Sequence, residues 1–265
     1  MFFSINLSPA YNSVGELNGV LLLAHDNTEM HMANVRAETA TQAKTNFSSN
    51  MSHEIRTPLN AVIGMTSIAK SANNIERKDY CLLKIDDASH HLLDVINDIL
   101  DMSKIEASKF DLSKIDFNFE KMLQRVVNVI NFRVEEKKQK FNVHICTDIP
   151  NYLYGDDLRL AQIITNLLGN ATKFTPERGT VSLNAKLISE ANDICTILFE
   201  ITDTGIGISP EQHSGLFSSF QQAGESTSRK YGGTGLGLSI SRNIIEMMGG
   251  KFIKRLSNEA LELIE

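Results

Sequence analysis

The sequence has no tryptophan, three cysteines and only five prolines in 265 residues. Cys81, Cys146 and Cys195 lie far apart, with no CxxC pair and no histidine at metal spacing. That excludes a disulfide scaffold and a zinc site, and the three read as reduced core thiols. Long apolar runs are also missing: the longest, Gly19 to Ala24, is far short of the roughly 20 residues that span a bilayer, and no basic signal-peptide region precedes it. Positive charge is scarce and dispersed. With 26 Lys and Arg against 32 Asp and Glu, the net charge is −6, and no basic block offers a footprint for nucleic acid. What remains is a globular composition, 42% hydrophobic, long enough for one large domain or two modest ones. A soluble, cytoplasmic chain without membrane contact of its own is expected. The abrupt start at Phe2-Phe3-Ser4 reads as a piece of a longer parent, for which a membrane anchor outside this chain is compatible.

Residues 3 to 24 alternate apolar and polar around turn residues Asn12-Ser13 and Leu17-Asn18-Gly19, the pattern of a β-hairpin. Asp26-Asn27-Thr28-Glu29 has the form of a capping box, and no Gly or Pro interrupts residues 29 to 46, so a helix is expected there. Met51, Ile55, Pro58, Val62, Met65 and Ala69 then step by fours and threes, as do Ile85, Ala88, Leu92, Val95, Ile99 and Met102 after the polar loop Ser71-Ala72-Asn73-Asn74. Two such seams joined by a short loop make an antiparallel helical hairpin, and two hairpins pairing into a four-helix dimer would cover both. After Ala107 short strands (115–119, 141–145, 181–187, 196–201) alternate with helices (120–136, 157–173, 235–248), the texture of an α/β sandwich.

Three constellations carry chemistry. His53 lies about 200° round the helix from Met51 and about 160° from Ile55, away from the seam, so it should face solvent. Pro58 nearby costs a helix interior about 3 kcal/mol, which suggests a site that gains from it. Glu54 beside the imidazole can hold one ring N–H and leave the other nitrogen as nucleophile. Second, Asn166, Asn170 and Lys173 share one helix face at i, i+4 and i+7, a donor set suited to Mg²⁺ and phosphate, with a solvated polar face as the plain alternative. Third, Asp203-Thr204-Gly205-Ile206-Gly207-Ile208 closes a strand with an acid able to accept from an exocyclic amine, and Gly232-Gly233-Thr234-Gly235-Leu236-Gly237-Leu238 opens a helix whose bare amides suit phosphate. Neither a Rossmann fingerprint nor a Walker A lysine is present. Between the two loops, residues 221 to 231 have the composition of a mobile lid, with Phe217 and Phe220 packing at its base.

Taken in order, His-Glu-Ile-Arg-Thr-Pro-Leu-Asn at 53–60, the Asn-rich helix at 166–173, Asp-Thr-Gly-Ile-Gly-Ile at 203–208, the phenylalanines at 217–220 and Gly-Gly-Thr-Gly-Leu-Gly-Leu at 232–238 resemble the sensor histidine kinases of two-component systems. The resemblance covers roughly residues 46 to 250. It implies an α+β multidomain chain in which a dimeric helical hairpin precedes a Bergerat-type α/β sandwich, shared with gyrase and Hsp90-like ATPases. On this reading residues 1–27 are the last strands of a PAS-like sensor, 28–45 a signalling helix, 46–110 the dimerisation and phosphotransfer domain, and 111–265 the ATP-binding domain. It further implies that His53 is the phosphoacceptor, Glu54 its acid/base partner and Thr57 a residue used in dephosphorylating the response regulator. Asn166 and Asn170 would bind Mg²⁺, Lys173 would contact phosphate, and Asp203 the adenine amino group. Gly205 and Gly207 would shape the base pocket, and Gly233, Thr234, Gly235, Leu236 and Gly237 the phosphate edge of the lid. ATP, a homodimer and a response-regulator receiver domain are the implied ligand and partners.

One departure stands out. After Gly249-Gly250 only a first closing strand is recognisable, and Leu256, Ala260 and Leu263 are spaced as in a helix. An ATP-binding domain lacking its closing hairpin would be weakened. That leaves two competing expectations, an ATP-binding scaffold or regulator phosphatase without autokinase activity, and, further off, a conformational clamp of the gyrase type.

Overall fold

The computed structural model describes residues 2–208, 235–254 and 261–264. The chain divides into two compact units, residues 1–50 and 51–265.

In the first unit, strands β1 (Phe3–Tyr11) and β2 (Leu17–Asp26) pair antiparallel. Asn12 makes the turn by accepting with Oδ1 from the amides of Val14 (3.0 Å) and Glu16 (2.8 Å), while Gly15 takes the left-handed conformation (φ +84°) that a side chain resists. The register sets Ile5 opposite Ala24, Leu7 opposite Leu22 and Pro9 opposite Val20, so one face of the ribbon is apolar. Helix α1 (Thr28–Ser71) begins where the Asp26 carboxylate accepts from the Thr28 amide at 2.9 Å. This is an Asx-type start one residue earlier than the expected capping box, and Glu29 makes no reciprocal bond among the described residues. The helix continues past position 46, so the expected signalling helix and the first seam carry no helix break between them.

The second unit holds the rest of α1 and helix α2 (Ile75–Glu106), joined by a three-residue loop in which Asn74 caps α2 by accepting from the Glu76 amide at 2.8 Å. Every seam position named above is buried or half-buried, with Met51, Pro58, Val95 and Met102 fully so. Leu82, Leu83, Leu93 and Leu100 on α2 remain exposed.

The sandwich follows. Strand β3 (Ile115–Asn118) pairs with β5 (Tyr152–Gly155), and β4 (Lys140–Ile145), β6 (Thr180–Ala191), β7 (Ile194–Asp203), β9 (Leu261–Ile264) and β8 (Lys251–Lys254) form a sheet in the spatial order β4-β6-β7-β9-β8. Helices α3 (Phe119–Glu136), α4 (Asp157–Phe174) and α5 (Gly237–Met247) supply the covering layer. Their inward stripes, including Leu123, Ile130, Ile163, Leu168 and Ile244, join Val181, Leu183 and Phe199 of the sheet in one core.

Two expectations need correction. The closing hairpin is present: β9 pairs with β7 through Phe199↔Leu263 and Ile201↔Leu261, and β8 pairs with β9. Leu263 is therefore in a strand, because Leu261 and Leu263 alternate about Glu262 at the strand period and answer the otherwise unpaired edge of β7. Leu256 and Ala260 lie outside the described residues. The cysteines are all free as expected, but only Cys81 is a core thiol, Cys146 and Cys195 being half-buried near strand ends.

Candidate functional site

His53 is exposed on α1, Glu54 half-buried and Pro58 buried on the seam. Proline at 58 has no amide to give the carbonyl of residue 54, four positions back. Thr57 turns its hydroxyl back to the carbonyl of His53 at 3.1 Å, one residue before the carbonyl that Pro58 leaves without its helical donor. Among the described residues the His53 ring has no hydrogen-bond partner, so the expected contact with Glu54 is not made in this state.

The second group gathers where α4, α5 and the end of β7 meet. Asn166 donates from Nδ2 to Ser241 Oγ on α5 at 2.9 Å, which fixes the amide and leaves Oδ1 as its unspent acceptor. Gly237, at the start of α5, must be a glycine: a β-carbon there would sit 2.5 Å from Asn166 Oδ1. Just before it, Gly235 adopts φ +66° and Leu236 is fully buried, so the turn into α5 is set by one left-handed residue and one apolar anchor. Asn170 and Lys173 follow along the same face of α4, both half-buried.

The end of β7 is pressed against the C-terminus of α4. The Gly205 amide donates to Asp203 Oδ1 at 2.8 Å, leaving the second carboxylate oxygen for another donor. A β-carbon on Gly205 would meet Asp203 Oδ1 at 2.6 Å and the Phe174 carbonyl oxygen at 2.7 Å. Gly207 is again left-handed at φ +66°. Thr204 ties this turn to β6, its amide donating to the Thr180 carbonyl at 3.0 Å and its hydroxyl accepting from the Thr180 amide at 2.9 Å.

Two residues that the sequence reading missed hold the C-terminus of α4. Lys137 Nζ donates to the carbonyls of Thr172 (2.8 Å) and Lys173 (2.9 Å), and Gln139 Nε2 to those of Thr172 (3.0 Å) and Thr175 (2.7 Å). These carbonyls have no partner within the helix, and a cation there also meets the negative end of the helix dipole. No local pattern announces this, because the donors follow α3, more than thirty residues before the carbonyls they cap.

Burial lowers the pKa of Lys173 from the ordinary 10.5. The charge of Glu54 opposes the shift and that of Lys137 adds to it. Glu54, beside the exposed histidine, thus lies close enough to Lys173 to act on it electrostatically. A polyphosphate anion beside this half-buried ammonium would favour its charged form.

The donor set suits Mg²⁺. No cluster of three or more His, Cys, Asp or Glu side chains able to hold a metal exists among the described residues. Two amide oxygens on one stripe, one of them immobilised through its nitrogen, are what a hard cation completing its shell from phosphates and water would use. Gly233, Thr234, Phe217, Phe220 and the lid at 221–231 lie outside the described residues.

Residues 43–108 match the family model of the His Kinase A (phospho-acceptor) domain. Residues 155–259 match that of the histidine kinase-, DNA gyrase B- and HSP90-like ATPases. The chain thus joins a phospho-acceptor domain of the first family to an ATPase domain of the second, the pairing found in sensor histidine kinases. It is 43% identical over 225 residues to the signal transduction histidine-protein kinase BarA of Escherichia coli K12, covering 84% of this chain and 24% of that protein. It is 38% identical over 261 residues to the autoinducer 2 sensor kinase/phosphatase LuxQ of Vibrio vulnificus, covering 94% and 30%. The chain therefore spans about a quarter of the length of such relatives. Among solved structures, full-length ShkA in complex with AMPPNP is similar with a TM-score of 0.59 at 31% identity, over 84% of this chain and 44% of that one. The Acinetobacter baumannii histidine kinase AdeS shares the fold, with a TM-score of 0.58 at 21% identity over 80% and 95%.

Proposed function

We propose that this chain is the kinase core of a two-component sensor, which takes the γ-phosphoryl group of ATP onto His53 and passes it to an aspartate of a receiver domain. The observation that carries the reading is the pairing of an exposed, unpartnered imidazole on a seam helix with a separate group of polar side chains, Asn166, Asn170 and Lys173 along one face of α4 and Asp203 at the end of β7 that abuts it. The domain limits follow the sequence expectation: sensor-derived strands at 1–27, a signalling helix at 28–45, the phosphoacceptor hairpin at 46–110 and the ATP-binding domain at 111–265.

In the pocket, Asp203 accepts from the adenine amino group with the oxygen that Gly205 leaves unused, and Gly205 and Gly207 allow the base to approach the backbone. Asn166 and Asn170 hold Mg²⁺ and Lys173 meets the phosphates. The metal, when bound, supplies charge neutralisation on the phosphoryl oxygens. A ring nitrogen of His53 attacks the γ-phosphorus in line, the P–N bond forms as the bond to the ADP oxygen breaks, and the proton on the other ring nitrogen passes to Glu54. The second step reverses the demand: the P–N bond breaks and a carboxylate oxygen of the receiver takes the phosphoryl group. Thr57, one turn after His53, serves the dephosphorylation of the receiver domain. The exposed leucines of α2, with Leu59 and Ile63 of α1, are the faces that a second copy would cover.

The presence of β8 and β9 favours a working ATP-binding domain over a scaffold that never transfers. Incubation with MgATP, followed by peptide mapping under alkaline conditions that preserve phosphohistidine, tests the assignment. A single phosphoryl group on the peptide holding His53 is expected, and modification at another residue would overturn it.

A further inference from the structure

The polar stripe of α4 is longer than the nucleotide needs. Arg159, Gln162, Asn166, Asn170 and Lys173 follow one another at intervals of three, four, four and three, so all five share one face of the helix. The C-terminal three belong to the pocket described above. The first two reach across to the last turns of α2.

There, Arg159 Nη1 donates to Asp101 Oδ2 at 2.6 Å and Nη2 to Asp101 Oδ1 at 3.2 Å, a bidentate pair. Gln162 Nε2 donates to the same Asp101 Oδ2 at 3.2 Å and accepts with Oε1 from Arg159 Nη1 at 2.7 Å. The Asp101 side chain is only 10% exposed and that of Arg159 27%. Charges at this depth persist only where hydrogen bonds satisfy both partners, as they do here. The segment leaving α2 is gripped as well. The Arg159 guanidinium lies 4.6 Å over the ring of Phe110, which is buried. The N-cap of α4, Asp156, accepts from the Ser113 amide with Oδ2 (2.8 Å) and from the Arg159 amide with Oδ1 (3.0 Å).

We propose that Asp101, Arg159 and Gln162 form a clasp that seats helix α4 on the end of the phosphoacceptor hairpin, making Asp101 and Arg159 positioning residues for phosphoryl transfer. From Arg159 to Lys173 the helix is a rod of about 21 Å at 1.5 Å per residue. One end is fixed beside the pivot between the two domains and the other carries the nucleotide. A loosened pivot moves the γ-phosphate relative to His53 without changing any group that touches the nucleotide. Misplacement of reacting atoms by about 1 Å costs on the order of a hundredfold in rate.

This inference rests on the autokinase reading, so its test has one readout that needs no activity. Asp101→Asn, Arg159→Gln and the charge swap Asp101→Arg with Arg159→Asp are compared in the whole chain. Hydrogen exchange is followed in the segment 107–114 and nucleotide affinity is measured with a fluorescent ATP analogue. Autophosphorylation is followed as kcat and KM. The single variants should speed exchange in 107–114 and lower kcat on the order of tenfold or more, with KM and analogue affinity unchanged. The swap should recover a part of both. Unchanged exchange in the single variants overturns the clasp. A loosened segment with unchanged or faster labelling, or nucleotide affinity falling in step with rate, overturns its positioning role.

Discussion

Gly237 sits so close to Asn166 that any side chain there would displace the amide, a β-carbon meeting Oδ1 at 2.5 Å. The start of α5 and the middle of α4 are thus one packing unit, held on the other side by the Asn166–Ser241 hydrogen bond. Gly237→Ala should weaken MgATP binding by pushing Asn166 out of place, and lower stability by the roughly 1–3 kcal/mol typical of overpacking. Ser241→Ala, which frees the amide without crowding it, should weaken binding less and leave the melting temperature nearly unchanged. Titration calorimetry with MgATP and thermal melts separate the two; equal binding by wild type and Gly237→Ala would contradict the placement of Asn166.

Lys173 gives a pH dependence with a defined sign. Its folded pKa lies below the ordinary 10.5. Between the two values the unfolded chain binds more protons, so this group makes stability rise as pH rises through that window. Bound phosphates favour the charged form, so nucleotide binding should do the opposite and weaken as pH climbs toward 10.5. Affinity measured against pH should show this fall in the wild type and a flatter profile in Lys173→Gln. Identical profiles would remove Lys173 from the phosphate site.

Lys137 caps carbonyls that the helix leaves open, and hydrogen bonds from a charged donor are worth about 1.5–3 kcal/mol when lost at a part-buried site. Lys137→Met should lower the melting temperature of the ATP-binding domain. Because the charge of Lys137 depresses the Lys173 pKa, the same variant should also shift the pH limb of nucleotide binding upward. A melting loss without that shift would mean that the two ammonium groups do not sense each other.

The seams of α1 and α2 were legible because every third or fourth residue had to be apolar to bury one face, and the structure buries those positions. The helices α3, α4 and α5 announced themselves by the same period, and the strands β6 and β7 by alternation of every second residue. Strand β5 was not legible: Tyr152-Leu153-Tyr154-Gly155 is short and pairs with β3 across more than thirty residues, so its register is a tertiary fact. Leu263 misled because its spacing from Ala260 fits a helix, whereas the open edge of β7 decides its state. At the site, the glycines and asparagines were readable as residue types. Their supports, Ser241, Lys137, Gln139 and the Asp101–Arg159 pair, act across long stretches of chain and carry no local pattern.

The central claim is that the exposed His53 receives phosphoryl from a nucleotide held by Asn166 and Asp203. The most direct measurement is incubation with γ-labelled ATP and Mg²⁺ of the wild type, His53→Gln, Asn166→Ala and Asp203→Asn, with each label then challenged by acid and by base. Acid-labile, base-stable label is expected on the wild type and none on the three variants, with His53→Gln still binding nucleotide. Label that persists in His53→Gln, or a wild type that binds ATP and never becomes labelled, would contradict it.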